Sequence, residues 1–396
     1  MLRVREAGAG LIARSARQWS RRLAFGLAVC SAVVVCGGTS FGQIRRPTGR
    51  PAAPPGTRHP PLKAIFEPVS YPDDVDISDV FFVDRETGWA CGHHRTAAGE
   101  GGFIVGTRDG GRTWSVQLGD PSSPARAVAR VFFVDATHGW AAQADGVLLQ
   151  TTNGATWTHA GTLGAPRPFV FVSHERGLAL DQGGSILLTD DGGRTWTRVY
   201  QCRAGIDVAG PPGDPTCELE TLAFAPDHAT GYVVTRARDG HAADVIKTTD
   251  AGETWTRVAV IPGTAGTEAS LAFPDPDTGY LRTGNALIMT TDGGRTWHAV
   301  TATVPDGTMQ IAVAGPVGWM VGSHIFSYTL DGGKRWIARP LAFPAHVASV
   351  SLPATDTGYV AGSHGMIYRY RIVPFDYSAP HMLVIQNLTT FSPDSP

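Results

Sequence analysis

The sequence predicts an all-β fold, namely a seven-bladed propeller built of four-stranded antiparallel blades. Two interleaved repeats and the lack of any convincing helical period lead to this prediction. The first repeat is an acidic, glycine-rich octapeptide ending in Trp, such as TDDGGRTW at 189–196. The second ends in Gly and, in most copies, an aromatic residue, such as VFFVDRETGW at 80–89. Together they recur every forty to fifty residues or so, a period typical of propellers, solenoids and arrays.

The octapeptide occurs six times, as TRDGGRTW (107–114), QTTNGATW (150–157), TDDGGRTW (189–196), TTDAGETW (248–255), TTDGGRTW (290–297) and TLDGGKRW (329–336). Aligned on the Trp, five copies carry Asp at the third place, and Thr152 is the exception. The aspartates are Asp109, Asp191, Asp250, Asp292 and Asp331, and the tryptophans are Trp114, Trp157, Trp196, Trp255, Trp297 and Trp336.

The second repeat occurs seven times and defines seven units. Each unit divides into short runs rich in β-branched and aromatic residues, joined by Gly, Asp and Asn turn signals. In the second unit the runs are VFFVD, GWAAQ, GVLLQTT and TWTHA. Four-stranded meanders repeated in this way predict a propeller, whose radial packing leaves few exposed sheet edges.

The octapeptide lies between the third and fourth runs of a unit, so we interpret it as a hairpin turn. Its fifth-place Gly supplies a positive φ, and the Asp carboxylate can accept backbone N–H bonds across the turn. The Trp is large enough to fill the wedge between neighbouring blades. Calcium or substrate binding by the Asp is the alternative, but a role needed once per blade is a packing role. We therefore predict that the octapeptide is structural.

The two ends of the repeat region predict how the ring closes. The seventh unit supplies SVSLPATD, TGYVAG and MIYRYRI but lacks the octapeptide and a fourth run. The strand-like segment LKAIFEPVS at 62–70 precedes the first unit and should complete the seventh blade as its outermost strand. The propeller is thus predicted to span 62–374, followed by a C-terminal tail at 375–396.

The N-terminal region predicts export. Arg21 and Arg22 precede a short apolar run and small residues up to Gly42, as in a signal peptide spanning 1–42. A Pro-rich linker at 43–61 has no core of its own. We expect a monomeric protein in the periplasm or outside the cell.

Three cysteines follow the predicted signal peptide. Cys202 and Cys217 flank one insertion of an exported chain, which predicts a disulfide between them. Cys91 lies in a second-strand run and is expected to be a buried free thiol.

The pattern S/T-x-D-x-G-x-T-W resembles the Asp-box of sialidases, sortilin-type receptors, some glucanases and the photosystem II assembly-factor family. The alternation of V-x-F-x-D-x-x-x-G-W/Y with T-x-D-G-G-x-T-W is most similar to the last of these, over about residues 62–373. The resemblance implies a non-catalytic protein-binding module for an envelope or membrane protein complex. It also implies an Arg-lined contact surface, and it implies no cofactor.

Insertions locate the candidate binding face. In a four-stranded meander the octapeptides share one face (the box face) with the first-to-second strand turns. Three insertions belong to the opposite face (the crossing face): 93–102, 236–243 and the loop between Cys202 and Cys217. Elaborated loops on one face of a rigid scaffold mark a binding surface. The arginines predicted to contact acidic groups of another exported or membrane-bound protein are Arg130, Arg203, Arg236, Arg238 and Arg282. Solvated loop charges are the alternative interpretation of each.

His94, His324 and His364 follow the second repeat at equal spacing in neighbouring units and are candidates for a metal site. Equivalent points on adjacent blades are about 10 Å apart, too far for one ion bound at ~2 Å by each ligand. The sequence therefore predicts no metal.

The main alternative function is a glycoside hydrolase of the sialidase or glucanase type. The F/Y-R-I-P signature of sialidases is absent, and the Asp-box glucanases resemble two tandem propellers, whereas this chain has room for one. A carbohydrate ligand stays open as an alternative. A net charge of −2 argues against nucleic acid as the partner. A receptor ectodomain of the sortilin type is a third class, but its Cys-rich module and membrane anchor are not evident.

Overall fold

The computed structural model describes residues 62–69, 71–96, 99–119, 126–164, 168–202, 217–237, 242–262, 269–307 and 310–374. These residues belong to one compact unit, His59–Pro396. Its strands form seven four-stranded sheets of antiparallel neighbours, so the predicted fold class is confirmed. The predicted signal peptide, linker and tail lie outside the described residues. Nowhere in the described ranges is there a helix long and apolar enough to cross a membrane.

The strands are β1 (Leu62–Pro68), β2 (Val75–Phe82), β3 (Gly88–Thr96), β4 (Gly99–Thr107), β5 (Ser115–Leu118), β6 (Val128–Phe133), β7 (Gly139–Gln143), β8 (Val147–Thr151), β9 (Thr158–Thr162), β10 (Phe169–Phe171), β11 (Gly177–Leu180), β12 (Ser185–Thr189), β13 (Thr197–Gln201), β14 (Cys217–Phe224), β15 (Gly231–Ala237), β16 (Ala242–Thr248), β17 (Thr256–Pro262), β18 (Ala269–Ala272), β19 (Gly279–Thr283), β20 (Ala286–Thr290), β21 (His298–Ala299), β22 (Ile311–Ala314), β23 (Val317–Val321), β24 (Ile325–Thr329), β25 (Ile337–Pro340), β26 (Val347–Ala354), β27 (Thr357–Gly362) and β28 (Ile367–Pro374). Blades one to six are consecutive groups of four strands from β2 to β25, and blade seven has the order β26-β27-β28-β1.

The N-terminal strand closes the ring, as the sequence predicted. β1 pairs antiparallel with β28 from Leu62↔Pro374 to Pro68↔Tyr368. The Arg371 guanidinium donates to the Glu67 carboxylate at 2.8 Å across this pair. The first and last parts of the propeller therefore share one sheet, and hydrogen bonds rather than a covalent link hold the ring shut.

The second repeat has a packing explanation. The Phe near the end of the first strand lies against the Gly that opens the second strand of the same blade, and a Cβ on Gly139 would come within 2.4 Å of the Phe133 ring. The other face of that ring stacks on the Trp89 ring of the preceding blade, with centroids 3.4 Å apart. The octapeptide's Trp157 meets Phe133 edge-on at 5.7 Å. The Gly, both aromatic residues and the Trp thus form one contact that joins neighbouring blades.

The contact recurs around the ring. Stacked pairs with centroids 3.4–3.7 Å apart are Tyr359–Phe82, Trp89–Phe133, Trp140–Phe171 and Tyr232–Phe273. Each hydrophobic cluster accordingly draws residues from two adjacent blades, so that the core is a ring of interfaces rather than one central mass.

Candidate protein-binding surface

The first strand of each blade has an open edge that faces the axis, and side chains from the neighbouring blade satisfy part of it. Asp79 Oδ2 in blade one accepts the N–H of Val131 in blade two at 3.1 Å. Ser270 Oγ in blade five accepts the N–H of Ile311 in blade six at 2.9 Å. Such bonds matter because an unpaired buried N–H is costly. Residues of these first strands line the axis of the ring.

A channel with a volume of about 420 Å³ runs between these residues, and all seven blades contribute to its wall. Its polar lining includes two carboxylates (Asp79 and Glu220), one guanidinium (Arg130) and one amide (Gln310). The Gln310 amide donates to the Val350 carbonyl of the next blade. The wall of the channel is therefore polar. It offers both signs of charge and an amide that can form hydrogen bonds.

Asp79 and Arg130 are two of the charged residues of the wall, beside Glu220. Burial raises the pKa of the Asp79 carboxyl, while the Arg130 charge opposes that rise. Ser349 Oγ donates to Asp79 Oδ1 at 2.6 Å. The Arg130 guanidinium carbon lies 5.8 Å from the centre of the Phe169 ring, within range of a cation–π contact. Arg130 thus lies in the channel within range of the Phe169 ring, and its charge acts on the Asp79 carboxyl.

The other predicted arginines are placed as follows. Arg282 is buried, with 4% of its surface exposed, and its Nη1 donates to the Gly284 carbonyl at 3.3 Å. It supports the second-to-third strand turn of blade five and presents little free surface. Arg236 lies in β15, opposite Glu218 of β14, but its side chain is outside the described residues. Arg203 and Arg238 are outside them entirely.

On the crossing face, the predicted insertion at 93–102 forms a longer hairpin. β3 and β4 stay paired out to Thr96↔Gly99, whereas β11 and β12 pair only to Leu180↔Ile186. β15 and β16 have 7 residues each, but they pair with each other only from Gly231↔Thr248 to Val234↔Val245. Because antiparallel meanders alternate direction, the β3–β4 hairpin extends away from the octapeptides.

The cysteines follow part of the sequence prediction. Cys91 is free and fully buried, and burial raises the pKa of its thiol. Cys202 is disulfide-bonded. Cys217 opens β14, but its side chain is outside the described residues, so the pairing of these two cysteines stays a prediction.

On the box face, the aspartates of the octapeptides form hydrogen bonds within their own turns. Asp191 Oδ1 accepts the N–H groups of Arg194 and Thr195, each at 2.9 Å, and the hydroxyl of Thr189 at 2.8 Å. Oδ2 accepts the Thr195 hydroxyl at 2.6 Å. Partial burial raises the pKa of Asp191, but these bonds outweigh that effect and hold it at about 2. Both oxygens are thus committed to the turn.

The bonds from the N–H and hydroxyl of the Thr four residues on recur at Asp109, Asp250 and Asp292. Asp331 accepts the Arg335 N–H at 3.0 Å, but Arg335 stands where the other copies have Thr and offers no hydroxyl.

The alignment of the second octapeptide needs a correction. Asn153, not Thr152, occupies the place of the aspartate, since its Oδ1 accepts the Thr156 N–H at 2.9 Å and the Thr151 hydroxyl at 3.2 Å. This copy is one residue shorter and has a single Gly at positive φ, Gly154 at 67°, where most copies have two. Alignment on the Trp alone therefore misplaced the residue.

The histidines considered from the sequence do not meet. His94 is buried against Phe103, and His364 lies 2.8 Å from Asp74 at the surface. The group in the described ranges that could hold a metal is instead Asp135, His138 and His174, on the box face. Sequence reasoning missed it, although one signal was visible: His138 stands where other units have Thr.

The family model of the photosynthesis system II assembly factor YCF48 matches residues 61–206 and 263–371. The curated photosystem II stability/assembly factor HCF136, chloroplastic, of Arabidopsis thaliana is 27% identical over 128 residues, which are 29% of this chain. The match spans about a third of that relative's length, 31%.

Two solved structures share the fold. One, described as YCF48 bound to D1 peptide, has a TM-score of 0.55 at 20% identity and covers 78% of this chain and 97% of its own. The other, YCF48 from Cyanidioschyzon merolae, has a TM-score of 0.57 at 19% identity and covers 77% of this chain and 98% of its own. The family is described as an assembly factor rather than an enzyme, in agreement with the prediction from the sequence. With both repeats matched over most of the propeller, this chain belongs to the photosynthesis system II assembly factor YCF48 family.

Proposed function

We propose that this protein is an exported, non-catalytic assembly factor that binds a segment of an envelope or membrane protein on its crossing face. The observation that carries the proposal is the polar channel at the axis, whose wall includes Asp79, Arg130 and Gln310. A protein recognises a peptide segment through hydrogen-bonding groups and charges, and this wall offers both. Two relatives support a protein partner, one described as a stability/assembly factor and one as bound to D1 peptide.

The proposed partner segment carries an acidic group, for which Arg130 would be the counter-charge in a wall that also holds Asp79 and Glu220. Arg130 is the one guanidinium that the described lining of the channel contains. It can contact an incoming carboxylate while keeping its stacking on Phe169. The arginines predicted for the insertions of the crossing face, Arg203, Arg236 and Arg238, would act mainly on the rate of association.

Partner capture comes first: crosslinking of the exported protein in its host, followed by identification of what is bound. With the partner in hand, the triple variant Arg203→Ala, Arg236→Ala, Arg238→Ala should bind more weakly, most clearly at low salt. The single variant Arg130→Ala should accelerate dissociation, because its contact is partly desolvated.

A matched control removes the same number of positive charges from the other face. Arg112, Arg194 and Arg295 each donate to the carbonyl of their own octapeptide's Asp on the box face. Their triple replacement by Ala should leave affinity unchanged. If this control weakens binding and the crossing-face triple does not, the docking surface lies on the box face and the proposal is contradicted.

Export has its own test. N-terminal sequencing of the protein recovered from the periplasm or the medium should find a chain that begins at Gln43. Recovery of the intact N-terminus from the cytoplasm alone would contradict export while leaving the binding proposal open.

A further inference from the structure

We propose that Asp135, His138 and His174 form a binding site for a divalent transition-metal ion of the Zn²⁺ class on the box face. Asp135 and His138 lie in the turn between β6 and β7, and His174 lies in the turn between β10 and β11. One carboxylate oxygen and one nitrogen from each ring all lie within 4.8 Å of one another. The site would join blades two and three, on the face opposite the insertions of the proposed function.

The turn of blade two orients the carboxylate. Asp135 Oδ1 accepts the N–H groups of Thr137 and His138, at 2.7 and 2.8 Å, and the Thr137 hydroxyl at 2.7 Å. Oδ2 is left to face the histidines, 2.6 Å from His174 Nε2 and 3.2 Å from His138 Nδ1. One oxygen therefore anchors the side chain, and the other is presented next to two imidazole nitrogens.

The three atoms have the composition that Zn²⁺ accepts, and binding an ion would require a local rearrangement of the rings. Zn²⁺ binds His nitrogen and carboxylate oxygen at about 2.0–2.2 Å, so ligand atoms around a tetrahedral ion are about 3.3 Å apart. Asp135 Oδ2 and His174 Nε2, which are 2.6 Å apart, would therefore have to separate. The rings are stacked, with centroids 3.6 Å apart and planes 17° apart, and must rotate for both lone pairs to converge on one ion. The His174 side chain is 54% exposed, so its ring has room to rotate.

A cavity of about 410 Å³ lies beside the cluster, lined in part by Asp135, His174, Glu175 and His228. An ion held by three protein atoms keeps at least one coordination position open. That position would face this cavity and take water or a carboxylate oxygen from outside.

His138 is not needed to build the turn. Units one, four and five carry Thr at the same place, as Thr87, Thr230 and Thr278. Thr230 fills the role with its hydroxyl, which donates to Asp227 Oδ2 at 2.7 Å. Replacing His138 with Thr should therefore keep the turn and remove one metal ligand. His298, an exposed residue of β21 in blade five, supplies a control histidine outside both the cluster and the cavity beside it.

The experiment is calorimetric titration of the chelator-treated full chain with Zn²⁺, with Mg²⁺ as the comparison ion. The wild type should bind one Zn²⁺ saturably and should not bind Mg²⁺ measurably. His138→Thr and His174→Ala should each weaken Zn²⁺ binding by more than about tenfold, since even indirect supports of a metal site contribute that much. His298→Ala should bind as the wild type does, and the metal-free melting temperatures should stay close.

Two results would overturn the proposal. One is the absence of saturable binding, or binding that survives loss of either histidine, which would make the cluster an interblade ion pair only. The other comes from Co²⁺ in the wild type, a readout independent of how the variants fold. Weak visible absorption typical of a six-coordinate aquo ion, instead of the strong bands of a four- or five-coordinate site, would mean surface binding.

Discussion

The closing strand offers the sharpest test of how this propeller is held together. We compare a chain that starts at Leu62 with one that starts at Tyr71, so that the only difference is β1 and the two residues after it. The Phe66 ring of β1 packs on four aromatic rings, with centroids 5.2–6.4 Å away. Without β1, these rings and the outer edge of β28 are left exposed to water.

The magnitude follows from these contacts. Truncating a fully buried Phe to Ala costs about 3–5 kcal/mol, and because Phe66 is only partly buried we expect ~2–3 kcal/mol from its ring. The half-exposed pair of Glu67 and Arg371 adds about 0.5–1 kcal/mol. The sum, roughly 3–4 kcal/mol, is a large share of the ~5–15 kcal/mol that holds a typical domain folded. At ~2–4 °C per kcal/mol, the melting temperature should fall by about 10 °C.

Scanning calorimetry of the two chains measures the difference directly. Adding the peptide LKAIFEPVS to the chain that starts at Tyr71 should restore part of the lost stability, because the β28 edge is free to receive it. Val116→Ala in β5 is the control, since this side chain also lies on an outermost strand but is 54% exposed. Equal melting temperatures for the two chains would refute closure through β1.

Three further predictions concern the octapeptides. Asp191→Ala should lower the free energy of unfolding by ~1–3 kcal/mol, because the hairpin donors lose their acceptor; loss of partner binding with stability intact would contradict a structural role. The pKa of Asp191 is lowered to about 2 in the folded state, so its stabilisation is present above about pH 4 and lost as the pH falls through about 2. Urea unfolding should show this acid limb, and Asp191→Asn should flatten it in proportion, whereas an identical limb in the variant would assign it to other groups. Ala251→Gly should stabilise the protein by about 1 kcal/mol, because Ala251 has a φ of 57° where the five other copies have Gly; an unchanged or lower urea midpoint would contradict this.

The amino-acid sequence by itself determined the fold and the closure of the ring. Both depend on interactions between residues that are close in the chain. Each turn is fixed by hydrogen bonds within four residues, as between Asp191 and Thr195. The Gly-aromatic pairs repeat the same interblade contact without information from elsewhere in the chain. A seventh unit that lacks one strand and a strand-like segment ahead of the first unit then predict closure.

Only the tertiary structure decided what lies at the axis and between the turns. Arg130 and Asp79 line one channel because the curvature of the ring brings the first strands of all blades together. The spacing of these two residues along the chain does not reveal that they share it. His174 reaches Asp135 across 39 residues because neighbouring blades are aligned side by side, so that equivalent turns approach each other. Asn153 could be recognised as the acceptor only from its bonds, since a turn one residue shorter shifts the alignment without changing the geometry that it supports. Periodicity specifies each blade, whereas contacts between blades depend on how the ring as a whole curves.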